Sequence, residues 1–436
     1  YEGAVHNQPV FKGKHVALPS ASLLHYGYVS NDNELMEKKF LRTSAILKSE
    51  LEKDPENVYY WSQLAVTYGM HKEYEKAIEY IEKAYALTNG EKSRNYMHVY
   101  THMALMYELV NKYDQVEKIC LEALEISCEY IDIYYFLAEA QAVLKKTHEA
   151  IDNYKKYLEM LKKHKENEIR DVTIIEYTLG YHEVVYFNLA SLYKNIGDYE
   201  TSFQYATQVK TKQAIKDNLP PLLYLYLKLG KYEELRAYCD ENVEIDWQAD
   251  FFEKLNIVIN EYGKEFDQDV KLNVAHAFAT VDHFYGLLSS LVIDDSVGSI
   301  SNKTFEGIKK LDIENLPVCC SEILYYLLKH KFPLHSVIDQ FKEIWLSCAF
   351  EYIVKKHIDI YEVIYLYIQQ YEKNSTLNEY KLSKTLCRIS LLLDNLVSEK
   401  YKKIFDRYIC DGIAYMQLVY SKQVFTECLV YELKND

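Results

Sequence analysis

One pattern recurs four times in the first half of the chain and limits the folds open to it. Each copy has a large aromatic residue, then Leu or Met followed by Ala, and a further set of small and large residues. The leading aromatics, Trp61, Tyr100, Tyr134 and Tyr186, are 39, 34 and 52 residues apart. Spacings of three and four residues place such side chains on one face of a helix. The pattern therefore predicts a series of packed helices.

The residues of each copy show which kind of repeat this is. The first two copies are Trp61, Leu64, Ala65, Tyr68, Tyr74, Ala77, Ile81 and Ala84, and then Tyr100, Met103, Ala104, Tyr107, Tyr113, Val116, Cys120 and Ala123. The next two are Tyr134, Leu137, Ala138, Gln141, Ala150, Tyr154 and Tyr157, and then Tyr186, Leu189, Ala190, Tyr193, Gly197, Tyr199, Ser202 and Ala206. This frame is typical of the tetratricopeptide repeat, a helix pair of about 34 residues. The longer intervals of 39 and 52 residues indicate insertions in the first and third copies.

Composition agrees with long helices and excludes some partners. The chain has 436 residues but only 13 Gly and 7 Pro, too few turn formers for a sheet-rich fold. Its 50 Lys and Arg against 65 Asp and Glu give a net charge of −15, so a nucleic-acid partner is not expected. The nine cysteines lack CxxC spacing, and no apolar run is long enough to span a bilayer. We expect a cytoplasmic protein without a membrane span.

These observations predict an all-α fold with three parts. Residues 34–240 are predicted to form a tetratricopeptide-type α-solenoid, and residues 241–436 a region of further helical repeats whose role is unknown. Residues 1–33 consist of short, strand-like runs separated by Gly, and this pattern predicts a short strand and loop segment. A Glu- and Lys-rich helix is predicted to follow from Glu34 to Leu51. Because the chain begins at Tyr1 inside what looks like a motif, we expect further residues upstream.

The first 42 residues also carry a family resemblance. The residues concerned are Gly3, Val5, His6, Asn7, Gln8, Pro9, Gly13, His25, Tyr26, Gly27 and Tyr28, with Lys38 or Lys39 and Arg42. Residues 183–190, Glu-Val-Val-Tyr-Phe-Asn-Leu-Ala, add to it. The chain resembles the C-terminal region of bacterial family 2 glycosyltransferases that carry tetratricopeptide repeats, and residues 1–33 would be the end of the catalytic domain.

The resemblance implies a sugar transferase that is incomplete in this chain. It implies that His6 lies in the catalytic site and ligates a divalent metal, Mg or Mn, together with acidic residues upstream of Tyr1. It also implies a nucleotide-sugar donor and a polypeptide or surface glycan as acceptor. Since one imidazole cannot hold such a metal, the chain is predicted to be inactive without its catalytic domain, and it holds no cofactor of its own. Without the resemblance, His6 is a hydrogen-bonded loop histidine.

The first helix of each pair is predicted to line a peptide groove. The residues predicted to face it are Tyr59, Gln63, His98, Thr101, His102, Tyr135, Phe136, Glu139, Phe187, Asn188, Ser191, Lys194 and Asn195. Amides can bond the backbone of an extended polypeptide while aromatic rings cover its side chains. Only Lys194 is basic, so an internal segment fits better than a C-terminal carboxylate. The alternative is that the chain's own C-terminal half fills the groove.

Two function classes follow. The first is the acceptor-binding region of a family 2 glycosyltransferase, as the resemblance implies. The second is a stand-alone protein interaction scaffold or peptide-binding sensor, in which the first thirty residues are a capping segment. An independent hydrolase lacks support, because no nucleophile, base and orienting group occur at usable spacing.

Overall fold

The structure of the chain is a computed structural model. It describes residues 32–88, 94–166, 176–266, 269–281, 284–310, 318–336, 343–370, 374–392 and 398–420. Over these ranges the regular structure is α-helix and short 3₁₀ turns, without a strand. The predicted all-α class is confirmed. The strand and loop segment predicted for residues 1–33, and His6 with it, lies outside the described residues apart from its last two positions.

The chain separates into two compact units, residues 1–215 and 216–436. The helices of the first unit are α1 (Asn33–Lys53), α2 (Val58–Met70), α3 (Tyr74–Leu87), α4 (Met97–Leu109), α5 (Tyr113–Ile126), α6 (Ile131–Val143), α7 (Thr147–Lys165), α8 (His182–Asn195) and α9 (Tyr199–Ala206). Helix α10 (Lys212–Asp217) spans the division. The predicted boundaries at residues 33 and 240 rest on motifs rather than contacts, and they stay predictions.

The first unit is a stack of helix pairs. Helices α2 and α3, α4 and α5, α6 and α7, and α8 and α9 form the pairs, and each pair packs on the next. The first helices also touch one another, α2 with α4 and α4 with α6, as in a solenoid. Ala65, Ala104 and Ala138 are fully buried in the core of this stack. A larger side chain there would push the helices apart, which explains the recurring Ala.

The turn within each pair has the same geometry. Its central residue has a positive φ: 65° at Lys72, 58° at Asn111, 62° at Lys145 and 84° at Gly197. In the first turn the amide of Glu73 bonds the carbonyl of Tyr68 five residues back, which closes the helix end. The repeats therefore keep this turn even where the residue is Lys or Asn rather than Gly.

The second unit is also built of packed helices. Its helices are α11 (Leu219–Lys228), α12 (Tyr232–Asn242), α13 (Gln248–Tyr262), α14 (Val270–Phe278), α15 (Phe284–Ser296), α16 (Asn302–Lys309), α17 (Glu322–Lys329), α18 (Glu343–Lys356), α19 (Ile360–Gln369), α20 (Leu377–Leu392) and α21 (Ser398–Val419). Helix α11 packs on α13, α15 on α17 and α17 on α19, so alternate helices again touch. Around Phe252 on α13, the rings of Phe278 and Tyr285 form an aromatic cluster that joins α13, α14 and α15. Over its described residues the predicted helical fold of this half of the chain is confirmed, whereas its boundary stays a prediction.

Candidate functional site: the first-helix face of the repeats

The candidate site is the surface formed by α2, α4, α6 and α8, which we call the first-helix face. Relative to the leading aromatic of each repeat, its residues lie at positions −2, +1, +2, +5, +8 and +9. The series −2, +1, +5, +8 and the series −2, +2, +5, +9 both advance in steps of three or four residues, so all six positions fall on one side of a helix. Helix α8 is linked to α6 by a hydrogen bond from Asn188 Nδ2 to Glu139 Oε1.

The thirteen predicted groove residues differ in exposure. Tyr59, Ser191 and Asn195 are exposed, whereas Gln63, His98, Glu139, Phe187, Asn188 and Lys194 are partly buried. Thr101, His102, Tyr135 and Phe136 are buried. Thr101 Oγ1 donates to the Tyr130 hydroxyl at 2.8 Å within the array. The face is thus open along part of its length and covered where those four residues lie.

Part of the cover is residues 176–181, which we call the return segment. It leads into α8 and falls in the longest insertion that the repeat intervals indicate. The ring of Tyr177 lies 5.6 Å from the ring of His102, and the ring of Tyr181 lies 5.2 Å from that of Tyr135. The sequence leaves open that the C-terminal half fills the groove. The occupant that the structure describes is this segment of the first unit.

Asp132 holds the main chain of the return segment. Its carboxylate accepts the amide of Tyr177 at 2.9 Å, the amide of Thr178 at 2.9 Å and the hydroxyl of Thr178 at 2.6 Å. The Asp132 side chain is fully buried in the first turn of α6, where the helix dipole favours negative charge. Burial raises the pKa of this carboxyl, and the bonds from Thr178 and Tyr177 partly offset that rise.

A second contact fixes the side chain of Tyr177. Its hydroxyl lies 2.9 Å from His102 Nε2, and His102 Nδ1 lies 2.7 Å from Ser62 Oγ. Burial, with a smaller contribution from His98, lowers the pKa of His102 to about 3, so the ring is neutral at neutral pH. Ser62 and His102 lie within hydrogen-bond distance as in a nucleophile and base pair, but Ser62 is fully buried. We therefore interpret the three groups as a hydrogen-bonded anchor, not a hydrolytic site.

Two carboxylates lie further along the face. Glu139 on α6 accepts bonds from the Tyr154 hydroxyl at 2.7 Å and from Asn188. Glu108 on α4 is partly buried, and burial together with the charge of Glu139 raises its pKa to about 7. Burial also raises the pKa of Glu139. This part of the face is thus acidic and suits a cationic group of a ligand.

This arrangement predicts a pH-dependent effect of Glu108→Gln. The folded pKa of Glu108 is about 7, against an ordinary value of 4.5. Between those values the folded chain binds more protons than the unfolded chain, so stability falls as pH rises through this window. The variant removes the free-energy cost of ionising a partly buried carboxyl. We therefore expect its free energy of unfolding at pH 8 to exceed that of the parent by on the order of 1 kcal/mol after solvent screening. Thermal melts at pH 5 and pH 8 measure the difference.

The matched control for this experiment is Glu75→Gln, an exposed carboxylate on α3. We expect this variant to follow the parent at both pH values. An equal gain for Glu108→Gln at pH 5 and pH 8 would contradict the assignment, because a gain without pH dependence cannot come from the raised pKa of Glu108.

An apolar row borders the acidic part. Met70, Leu109 and Val143 are the last residues of α2, α4 and α6, and each lies nine residues after the leading aromatic of its repeat. They are 54%, 40% and 51% exposed. Three large apolar side chains that share one repeat position and remain exposed form a patch that a ligand can cover.

Several of these residues were not predicted from the sequence. Asp132 lies at position −2 of the third repeat, which Tyr59 and His98 occupy in the first two repeats. Ser62 lies at position +1 of the first repeat, which Thr101 occupies in the second. Glu108 and the apolar row lie at the positions of Lys194 and Asn195. Applying one set of offsets to every repeat would have found all of them. Nothing in the sequence indicated that the return segment lies on this face.

The described residues do not supply the metal site that the resemblance implies. No group of three His, Cys, Asp or Glu side chains among them is placed to hold a metal ion. His6 lies outside the described ranges. Among the described helices, none combines the length and the apolar character that crossing a bilayer requires.

Comparison with known proteins supports the repeat assignment. The tetratricopeptide repeat model matches residues 58–90 and 184–211, which include the first and fourth copies. Together with the stacked pairs, this match defines the chain as a helical repeat protein that contains tetratricopeptide repeats. No curated protein sequence matches the chain significantly.

Several solved structures are similar at low identity. MamA is 17% identical with a TM-score of 0.32, over 43% of this chain and 94% of MamA. PilF of Pseudomonas aeruginosa is 16% identical with a TM-score of 0.34, over 56% of this chain and 90% of PilF. YrrB, described as a TPR protein with an unusual peptide-binding site, is 14% identical with a TM-score of 0.31, over 56% and 96%.

Proposed function

We propose that the chain is a protein interaction scaffold whose first-helix face binds an extended polypeptide segment of a partner protein. The observation that carries this proposal is the apolar row. Met70, Leu109 and Val143 recur at one position of successive repeats and are exposed, although α4 and α6 bury most of their other large apolar residues. An extended peptide runs along such a row and covers it with successive side chains.

The charges beside the row indicate which peptide fits. Glu108 and Glu139 lie on the same face, and burial raises the pKa of both. A Lys or Arg side chain brought next to them would favour their ionised form and lower both pKa values. We therefore propose a partner segment that combines apolar residues with at least one basic residue.

A selection from a random linear peptide library on the purified chain tests the proposal. The selected peptide, labelled with fluorescein, is titrated with the parent chain and with Leu109→Arg. We expect enrichment in basic and apolar residues and a loss of affinity for Leu109→Arg of roughly tenfold or more, since an apolar contact is replaced by a cation. Fluorescence anisotropy measures both affinities.

The matched control is Leu121→Arg. Leu121 is a similarly exposed leucine, 49% against 40% for Leu109, but it lies on α5, the second helix of its pair. The control adds the same charge to an acidic chain, so it separates contact at the first-helix face from general attraction. A selected peptide that binds both variants equally well, or a library that gives no binding peptide, would show the proposal to be wrong.

The glycosyltransferase interpretation is more specific than the scaffold function, and it stays a prediction. It rests on residues 1–33, of which only the last two are described, and on residues 183–190 of α8. Within that second stretch Val185 and Leu189 are fully buried, and Glu183 accepts the amides of Lys210 and Thr211 at 2.8 and 3.0 Å. Packing and helix connection account for these residues without a sugar acceptor. Cytoplasmic location likewise stays a prediction.

One variant separates the two interpretations. In a chain extended by an upstream catalytic domain, His6→Ala removes sugar transfer if the resemblance is correct. If residues 1–30 are a capping segment, any transfer activity is unchanged.

A further inference from the structure

The contacts of the return segment are those of a bound peptide. We propose that the site formed by Asp132, His102 and Ser62 recognises a segment in which Tyr is followed by Thr or Ser and the chain then turns, as it does where the amide of Tyr181 donates to the carbonyl of Thr178. Residues 176–181 are the internal occupant of this site, and a partner segment of the same chemistry replaces them. This inference rests on the proposed function and names the chemistry of a second class of partner segment.

Both amide and carbonyl groups of the return segment are hydrogen-bonded to the helices. Two successive amides, of Tyr177 and Thr178, donate to the Asp132 carboxylate, and the carbonyl of Thr178 accepts the hydroxyl of Tyr157. Bonds to the main chain do not depend on the side chain, so they give affinity without selecting a sequence. The bond from the Thr178 hydroxyl to Asp132, 2.6 Å long, adds selection for Thr or Ser.

The neutral imidazole of His102 selects Tyr at the preceding position. A neutral ring has one donor and one acceptor nitrogen, and here each nitrogen faces a hydroxyl, that of Ser62 and that of Tyr177. A Phe in place of Tyr177 would fill the same space but leave one nitrogen without its partner. Because His102 is only 1% exposed, water does not readily take that place.

The return segment lies where a partner can reach it. Tyr177 is 47% exposed and Tyr181 is 44% exposed, although Thr178 between them is buried. The contacts that fix it are mainly hydrogen bonds, which a second segment of the same chemistry can reproduce. Being part of the chain gives the return segment an effective concentration of about millimolar, so a free peptide competes weakly until the internal contacts are reduced.

A peptide with the sequence of residues 176–183, acetylated and labelled with fluorescein, tests the inference. It is titrated with the parent chain and with Tyr177→Ala, which removes the phenol that contacts His102. We expect the variant to bind the peptide at least tenfold more tightly than the parent, since the internal occupant is weakened and the peptide restores the missing phenol. Versions of the peptide with Phe for its first Tyr, or Val for Thr, are expected to bind the variant roughly tenfold or more weakly.

Tyr181→Ala is the matched control. It removes a similarly exposed tyrosine of the return segment that contacts the ring of Tyr135 but neither Asp132 nor His102. Its affinity for the peptide is expected to stay close to that of the parent. A second measurement needs no variant: hydrogen exchange of residues 176–181 in the parent chain should become faster when millimolar unlabelled peptide is added.

The inference is wrong if the peptide binds Tyr177→Ala no better than the parent, if the Phe and Val peptides bind as well as the original, or if the added peptide leaves exchange unchanged. The proposed function is tested separately by the library peptide and Leu109→Arg. If that peptide binds while the peptide of residues 176–183 does not, the scaffold function stands and only the proposed replacement of the return segment by a partner segment is rejected.

Discussion

Gly286→Ala is expected to destabilise the second unit by about 3 kcal/mol or more. A Cβ atom at Gly286 would lie 2.1 Å from the carbonyl oxygen of Val281 and 3.2 Å from that of Phe278. Both are main-chain atoms, so no side-chain rotation relieves the overlap and α15 must move away from α14. Such a shift would also disturb the ring of Tyr285, which stacks on Phe252 at 4.0 Å.

Hydrogen exchange followed by mass spectrometry localises this effect, with thermal melting as a second measure. Peptides from α14 and α15 should lose most of their protection. The control is Gly263→Ala in the same unit, where a Cβ atom would meet nothing within 4 Å. That variant is expected to match the parent, and a similar loss in both variants would mean that general glycine replacement, rather than the close approach of α15, is responsible.

Gly69 shows why the identity of the neighbouring atom matters. A Cβ atom there would lie 2.7 Å from Sδ and 2.8 Å from Cε of Met106, which belong to a flexible side chain. Met can change rotamer, and Ala favours the helix interior over Gly by about 1 kcal/mol. The sequence alone presents both glycines in helical runs, and only the packing separates them.

The repeat frame was predictable because it is a local pattern with a direct packing reason. Ala65 and Ala138 were identified from their spacing, and both are fully buried between helices. The predicted helix from Glu34 to Leu51 is α1, which extends two residues further to Lys53. Periods of three and four residues fix which side chains share a face, and that face must be buried.

The covered part of the first-helix face was not predictable in the same way. The interval of 52 residues between Tyr134 and Tyr186 showed that an insertion exists but not where it lies. Its position depends on Asp132 and His102, which belong to two different repeats, and on Tyr177, which belongs to neither. Contacts among three segments far apart in the chain leave no periodic signal, so His102 was predicted to face a ligand although Tyr177 covers it.

Tyr100→Ala is expected to cost about 3 to 5 kcal/mol of stability in the first unit, the range for truncation of a large buried aromatic. Tyr100 is 2% exposed, and its ring meets that of Tyr85 edge to face at 5.8 Å. It therefore packs between the first and second repeats, and its loss leaves a cavity that the fully buried Ala104 is too small to fill. Tyr100→Phe keeps the ring and should stay within about 1 kcal/mol of the parent.

Tyr186→Ala is the comparison that tests whether the cost of Tyr100→Ala comes from the burial of the ring or from its position in the repeat motif. Tyr186 is the leading aromatic of the fourth repeat but is only partly buried, with the ring of Tyr205 at 6.4 Å. Since less apolar surface is lost from the interior, its truncation should cost roughly half as much as that of Tyr100. Urea denaturation, with hydrogen exchange of α4 and α8 to assign each loss to its repeat, measures both. Equal costs would mean that the leading aromatic acts through the repeat motif itself, whatever its burial.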